Sequence, residues 1–351
     1  MTEISRRKDE HLDIVLDGRA QSALPNPFDA FQFLHDAAPD FALADIDLTC
    51  RFLDRTMSAP FLISSMTGGP SRAEHINRTL ALAAEAEGVA FAVGSQRIAI
   101  ETDEQGGFGR ELRQTLKTMP LIANIGAAQV VLWDDPARCL SAVDMLEADA
   151  LIVHFNPLQE ALQPGGDTDW RHLNGRLSAL TDASPVPVIA KEVGSGISGD
   201  VAARLLEIGF SIIDVAGTGG TSWSAVEAER SEDAHAARVA APFRAWGIPT
   251  PHAISDVRAA CPEVKLIASG GVRDGLDAAK AIRLGADLVG QAAGLLGPAL
   301  EGVDAARAAI AAVKAQLSIT CFCTNARTLA ELKSVELIGQ ALVEPASQRA
   351  R

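Results

Sequence analysis

The chain has 351 residues, 48% hydrophobic and 22% charged, with 31 Lys and Arg against 45 Asp and Glu and a formal charge of −14. That composition is ordinary for a folded globular chain. The acidic balance argues against nucleic acid as a partner, and an anionic ligand would need a local cluster of Lys and Arg to overcome the global field.

No apolar run reaches membrane-spanning length, and residues 1–8 lack the apolar core of a signal peptide. Neither membrane insertion nor secretion is expected. The cysteines at 50, 139, 261, 321 and 323 read as free thiols in a reducing cytoplasm. Cys321-Phe-Cys323 lacks the neighbouring ligands that zinc requires.

Residues 1–57 show no clear alternation. The charged run at 6–11 reads, on charge alone, as a solvated N-terminal arm. Residues 24–27 form a turn, and Phe28, Phe31, Phe33 and Leu34 supply apolar anchors after it. From Pro60 a rhythm begins. Short apolar runs at 61–65, 89–93, 120–126, 151–153, 187–192, 211–215, 265–269 and 287–290 predict eight strands.

Helical stretches lie between them. Ser71 and Glu74 make a capping box, Ile76, Leu80 and Ala83 share a face, and Gly88 ends the helix. Another helix lies around 109–118, and one from Ser198 to Ile208 ends at Gly209. Asp274 with Asp277 opens a helix that stops at Gly285. Residues 224–262 are too long for one helix and predict two. The tail at 302–345 predicts an Ala-rich helix, Asp304 to Leu317, and a second around 326–341.

Eight continuous apolar strands alternating with helices predict an α/β protein, a parallel (β/α)8 TIM barrel. A doubly wound sheet would have fewer strands and a G-x-G-x-x-G turn after the first; Met66-Thr-Gly-Gly69 is not that. We expect one domain: an N-terminal arm at 1–57, the barrel at 58–300 and a C-terminal helical extension at 301–351.

In such a barrel the strand ends converge on one mouth. They are polar here: Ser65, Met66 and Thr67; Ser95 and Arg97; Asn124; His154, Asn156, Gln159 and Glu160; Lys191; Thr221. The fourth strand turns from Leu-Ile-Val to His, Asn, Gln and Glu within a few residues, with Pro157 ending the sheet pairing. Gly270-Gly271 before Asp274, and the small residues Ala292 and Ala293 after strand eight, read as a phosphate loop on bare backbone N–H groups or as plain glycine turns. Lys191 either pairs with a carboxylate such as Glu192 or faces a negatively charged ligand.

The chain resembles the type 2, FMN-dependent isopentenyl-diphosphate isomerases. The matching motifs are Arg7-Lys8-x-x-His11, Met66-Thr-Gly-Gly69, Gly94-Ser-Gln-Arg97, Asn124-x-Gly126, His154-x-Asn156-x-x-Gln159-Glu160, Lys191-Glu-Val-Gly194, Gly217-x-Gly-Gly-Thr221 and Ser269-Gly-Gly-x-Arg273. They span nearly the whole chain. Other FMN barrels share the Lys and the Gly-Gly loop, whereas the N-terminal and fourth-strand motifs are specific to this family.

The resemblance implies roles. Ser65, Met66, Thr67, Ser95, Asn124, Lys191 and Thr221 would hold the flavin ring and ribityl chain. Gly270, Gly271, Arg273, Ala292 and Ala293 would hold its phosphate. Arg7, Lys8, His11, Ser95, Arg97, His154 and Asn156 would line the substrate diphosphate. Gln159 would lie near the alkene, and Glu160 would bind Mg2+ bridging to the diphosphate. The charged arm then becomes a lid.

The implied reaction exchanges isopentenyl and dimethylallyl diphosphate by a 1,3-allylic proton shift. Gln159 is a poor base, and no paired carboxylates or Cys stand at the right places. Reduced FMN is then the expected acid–base group, with NADPH as reductant and Gln159, His154 and His11 as the side-chain candidates. A homo-oligomer, tetramer or octamer, is implied. The rivals are an FMN barrel dehydrogenase or oxidase of a small hydroxy acid or nucleotide, and a flavin-binding scaffold. The nucleotide dehydrogenases use a Cys in the loop after strand six; residues 217–222 contain none.

Overall fold

The computed structural model describes residues 3–22, 24–65, 72–102, 107–231 and 233–339, with side chains from residue 8 onward. Eight parallel strands close into a barrel: Phe61–Ile63, Ala90–Ala92, Leu121–Gly126, Ala150–Phe155, Val188–Glu192, Ile212–Asp214, Lys265–Ala268 and Leu288–Gln291. They are numbered 1 to 8 below. Strand 8 returns to pair with strand 1, so no barrel edge is left open.

The apolar runs are continuous because both faces are covered. One set of side chains, including Leu62, Ile122, Ile152, Ile189, Ile212 and Ile267, fills the barrel interior. The intervening set, including Phe61, Ile63, Phe91, Leu121, Ile125, Leu151 and Val153, packs outward against the helices. A hairpin of Cys50–Phe52 and Arg55–Met57 closes the bottom, where Phe52 and Met57 join the interior cluster.

Predicted helix ends recur in the structure. Ser198 caps Gly199–Ile208, which ends at Gly209 with φ +115°. Asp274 caps Gly275–Leu284, which ends at Gly285 with φ +124°. Arg72–Glu87 ends at Gly88 with φ +66°; Ser71 of the expected capping box lies outside the described residues. Helices Ala127–Trp133 and Pro136–Leu146 were not anticipated.

Three other regions depart from expectation. Residues 224–262 hold three α-helices, Trp223–Arg230, Ala234–Ala240 and Thr250–Ala260, with a 3-10 turn at Ala241–Ala245. Pro242 starts the 3-10 turn, and Pro249 and Pro251 the last helix, so prolines divide the segment further than its length suggested.

The tail helix runs Val303–Phe322, but the second expected helix is only Leu329–Leu332. Residues Leu337–Gly339 instead form a strand antiparallel to Phe31–Phe33. Sheet pairing with a distant segment overrode local preference there. Finally, Glu3–Leu16 is a helix rather than a featureless arm. It is docked by Leu12 and Ile14, and Ile14 and Ala20 cluster with Val226.

Candidate active site

Along each strand, side chains two apart share a face. The inward row Leu62, Ile122, Ile152, Ile189, Ile212 and Ile267 therefore continues, two residues on, as Ser64, Asn124, His154, Lys191, Asp214 and Ser269. The barrel interior is apolar below and polar at its C-terminal mouth. Register aligns the polar residues: Gly126, His154, Lys191 and Asp214 are successive partners across strands 3 to 6. Five of the six line a cavity of about 610 Å³, and Asp214 lies beneath it, fully buried.

That cavity is lined by Lys8, His11, Ser65, Ser95, Arg97, Asn124, His154, Asn156, Gln159, Glu160, Lys191, Thr221, Gly270, Gly271, Arg273, Ala292 and Ala293. Every candidate named above that the structure describes is thus in one wall. Met66, Thr67 and the side chain of Arg7 lie outside the described residues.

Asn124 Nδ2 donates to the Val93 carbonyl at 3.1 Å, leaving its oxygen to face His154 Nδ1 at 2.8 Å. The imidazole must donate there, which puts its proton on Nδ1 and a lone pair on Nε2. Burial, together with the charges of Lys191 and Lys8, pushes the His154 pKa down to about 3. The ring is neutral in the ligand-free protein, and an anion seated beside it would reverse the effect of those charges.

After strand 4, Pro157 opens the short helix Pro157–Leu162, which carries Gln159 and Glu160. Glu160 is buried. One carboxylate oxygen accepts from Asn156 Nδ2 at 2.9 Å; the other accepts from Gln163 Nε2 at 2.5 Å and the Asp167 amide at 2.8 Å. Gln159 Nε2 donates to Glu227 Oε1 at 3.2 Å.

Glu227 comes from helix Trp223–Arg230 and ties three elements together. His11 Nε2 lies 3.1 Å from its Oε1, and Arg230 pairs with its Oε2 at 2.6 Å. Burial raises the Glu227 carboxyl pKa, but the contacts to His11, Arg230 and Gln159 outweigh it and the net shift is downward. Trp223 meets the His11 ring edge-on at 5.2 Å between centroids, and Lys8 Nζ donates to the Ser95 carbonyl at 3.2 Å. The charged arm is not a solvated tail: two of its residues line the cavity.

Lys191 is buried, and its Nζ donates to the carbonyl of Glu192 at 2.6 Å rather than to that residue's carboxylate. The Glu192 carboxylate turns away, accepting the amides of Val193 and Gly194 at 2.6 Å each, and of Ser195 and Gly196. The carboxylate facing Lys191 is Asp214, 4.0 Å away. Burial pushes the Asp214 carboxyl up, against the opposing pull of Lys191 and Ser269.

At the other end of the mouth, the loops after strands 6 and 7 touch backbone to backbone. Gly270 and Gly271 have φ of +94° and +76°, and a Cβ on Gly270 would fall 2.2 Å from the Gly217 carbonyl oxygen. Asn26 braces the loop, its Nδ2 donating to Gly271 O at 2.5 Å.

The expected bare helix start at Asp274 is not bare. Asp274 accepts the Asp277 amide, Asp277 the Arg273 amide, and Gln316 the Gly275 amide. The helix cap occupies those donors, whereas Gly270-Gly271 and the turn Ala293–Leu295 after strand 8 line the cavity. Arg273 pairs with Asp29 and Asp277, and Arg97 with Glu101 and Asp167 at 3.1 and 2.7 Å. Neither guanidinium is a bare cation, which charge counting along the sequence could not show.

Residues 159–338 match the family model of FMN-dependent dehydrogenases. The chain is 53% identical over 333 residues to the isopentenyl-diphosphate delta-isomerase of Xanthobacter autotrophicus, covering 95% of this chain and 97% of the relative. It is 50% identical over 336 residues to the isopentenyl-diphosphate delta-isomerase of Cronobacter sakazakii, with the same coverages. The chain belongs to the FMN-dependent isopentenyl-diphosphate delta-isomerases. A mandelate oxidase structure with (S)-2-phenylpropionate superposes with a TM-score of 0.64 at 14% identity, over 97% of this chain and 99% of that one. At that identity it shows the shared barrel and nothing about substrate.

In this isomerase-family chain, sequence reasoning passed over Asp214, Glu227 and Asn26. Asp214 carried a readable signal, a charged residue closing the apolar run Ile212-Ile213, as Lys191 does on strand 5. Glu227 sits in a charged helix and Asn26 in a turn, and nothing local marks either.

Proposed function

We propose that this protein interconverts isopentenyl and dimethylallyl diphosphate with FMN in the barrel mouth. The observation that carries the reading is the composition of the single cavity wall. Gly270-Gly271 and Ala292-Ala293, from the loops after strands 7 and 8, line it together with Lys191 of strand 5 and with Lys8, His11, Arg97, His154 and Asn156 from the N-terminal helix and the ends of strands 2 and 4. The two loops suit the phosphate of a cofactor, and the Lys, His and Arg side chains a second, diphosphate-bearing ligand.

The residues fit FMN. A side chain at Gly270 would collide with Gly217, so the loop presents backbone to the cavity. Ser65, Ser95, Asn124 and Thr221, with Met66 and Thr67, would hold the ring and ribityl chain. Arg273 would reach the phosphate with part of its charge neutralised by Asp29 and Asp277. When bound and reduced, FMN supplies a proton-exchanging group and an anionic ring beside the alkene.

The chain's own residues do the rest. Arg7, Lys8, His11, Arg97, His154 and Asn156 bind the diphosphate. The reaction adds a proton at the terminal methylene and removes one from C2, so atoms balance and nothing is oxidised overall. Gln159 would lie at the alkene end; it is hydrogen-bonded to Glu227, a second carboxylate near the site besides Glu160.

Glu160 fits a divalent cation. Its buried carboxylate lines the cavity and is already fixed by donors from Asn156, Gln163 and Asp167. Among the described residues no cluster of three or more His, Cys, Asp or Glu forms. Mg2+ would therefore take its other oxygens from the diphosphate and water, its usual habit. We further propose NADPH as the reductant that primes the cofactor, a cytoplasmic setting in keeping with five free thiols, and a homo-oligomeric state. No helix among the described residues is long and apolar enough to cross a membrane.

The test is direct. The protein is loaded with FMN, reduced anaerobically and given isopentenyl diphosphate and Mg2+, and dimethylallyl diphosphate is followed. We expect many turnovers per NADPH and no turnover by oxidised enzyme. One NADPH or O2 consumed per product would instead assign a dehydrogenase or oxidase.

A further inference from the structure

Asp214 has no part in the roles above. It closes strand 6, pairs in register with Lys191 on strand 5 and is fully buried. Its Oδ1 accepts from Ser269 Oγ at 2.7 Å. Its Oδ2 meets no donor in hydrogen-bonding geometry, and Lys191 Nζ stands 4.0 Å from it. The buried carboxylate draws its compensation from the backbone amides of Ala216 and Ser269 and from Lys191, the cation the register brings to it. Lys191 and Ser269 line the cavity, whereas Asp214 lies behind them.

The ammonium has three donors. One goes to the Glu192 carbonyl. The direction of Asp214 draws the group toward strand 6 and leaves the remaining charge to the cavity floor. Ser269 directly precedes Gly270-Gly271, so the same carboxylate also braces the start of the glycine loop.

We infer that Asp214 is a positioning residue: it holds the Lys191 ammonium at the cavity floor and offsets part of its charge. The site's preference for an anionic over a neutral flavin is then set by the Lys191–Asp214 pair, not by Lys191 alone. This rests on the FMN reading above. Asp214 does not line the cavity, so it is not assigned a catalytic role.

The experiment measures Kd for oxidised and for reduced FMN, and the midpoint potential of the bound flavin by titration against a reference dye. Wild type comes first. If it binds no FMN, the proposed function falls, whatever Asp214 does. If it binds, D214N keeps the side-chain size and removes the charge. Uncovering one charge at the end of strand 5 is expected to shift the Kd ratio toward reduced flavin by about tenfold, and to raise the potential correspondingly. A ratio within about twofold of wild type overturns the inference, since it would mean that Asp214 does not set the charge presented to the flavin.

Should D214N fail to fold, K191Q/D214N buries no unpaired charge and is compared with K191Q. Because Asp214 acts through the ammonium, the two should give the same ratio. A further shift of about tenfold in the double variant would show the carboxylate acting on the flavin directly and would overturn the positioning role.

Discussion

Gln159 Nε2 donates to Glu227 Oε1 at 3.2 Å, and the same oxygen lies 3.1 Å from His11 Nε2. One carboxylate from helix Trp223–Arg230 thus fixes a residue after strand 4 and a residue of the N-terminal helix. Glu227→Ala should therefore unseat both. We expect kcat/KM to fall roughly 10²-fold or more, the scale of a lost proton-transfer arrangement, with the bound flavin spectrum unchanged. An activity within a few-fold of wild type would show that neither anchored side chain matters to turnover.

Glu160→Gln removes the one protein carboxylate assigned to the metal at nearly unchanged size; its single amide oxygen can still accept on one side, from Asn156 or from Gln163 and Asp167. FMN binding should persist and Mg2+-dependent turnover should be lost. The check is a Mg2+ titration of the variant; an unaltered metal dependence places the cation elsewhere.

Lys8→Ala deletes a charge-assisted contact to the diphosphate. Such contacts are worth about 1.5–3 kcal/mol, so KM should rise roughly 10- to 100-fold with kcat much less affected. Steady-state kinetics decide it, and an unchanged KM would return the N-terminal helix to a purely structural role.

Gly270→Ala places a methyl against the Gly217 carbonyl at a backbone angle that L side chains rarely adopt. We expect a stability loss of about 1–3 kcal/mol and weaker FMN binding. Urea unfolding and flavin titration measure the two separately.

His154 gives a pH signature. Its folded pKa, about 3, lies below the ordinary histidine value near 6.5. The unfolded chain therefore binds the proton first. The contribution of His154 to stability is complete above about pH 6.5 and is lost as pH falls toward 3. Denaturant midpoints of ligand-free wild type should decline across that window, and His154→Gln should decline less. Parallel slopes would mean that the ring is not held neutral.

The sequence by itself determined the barrel and most of its mouth. Each strand announced itself as a short apolar run, and glycines at 88, 209 and 285 marked helix ends because a left-handed residue is needed there. Polar residues closing apolar strands pointed to the cavity because period two carries them onward along the inner face. These are local rules, acting within a few residues. The tail failed for the opposite reason. Residues 337–339 follow a partner, Phe31–Phe33, some three hundred positions away, and no local preference encodes that pairing.

Charge state likewise belongs to the tertiary structure. Lys191 read as a partner for a carboxylate such as Glu192 or as facing an anionic ligand; strand pairing brings it Asp214, and the carboxylate of Glu192 goes to four amides of its own loop. Arg97 and Arg273 are nominated by the family motifs, and only folding sets Asp167 and Asp29 beside them. Glu227 joins the site only through tertiary contacts, to Gln159 after strand 4 and to His11 of the N-terminal helix. Electrostatic energy depends on distance and burial through space, so residue types along a chain nominate the participants, and only the packed fold decides which charges meet.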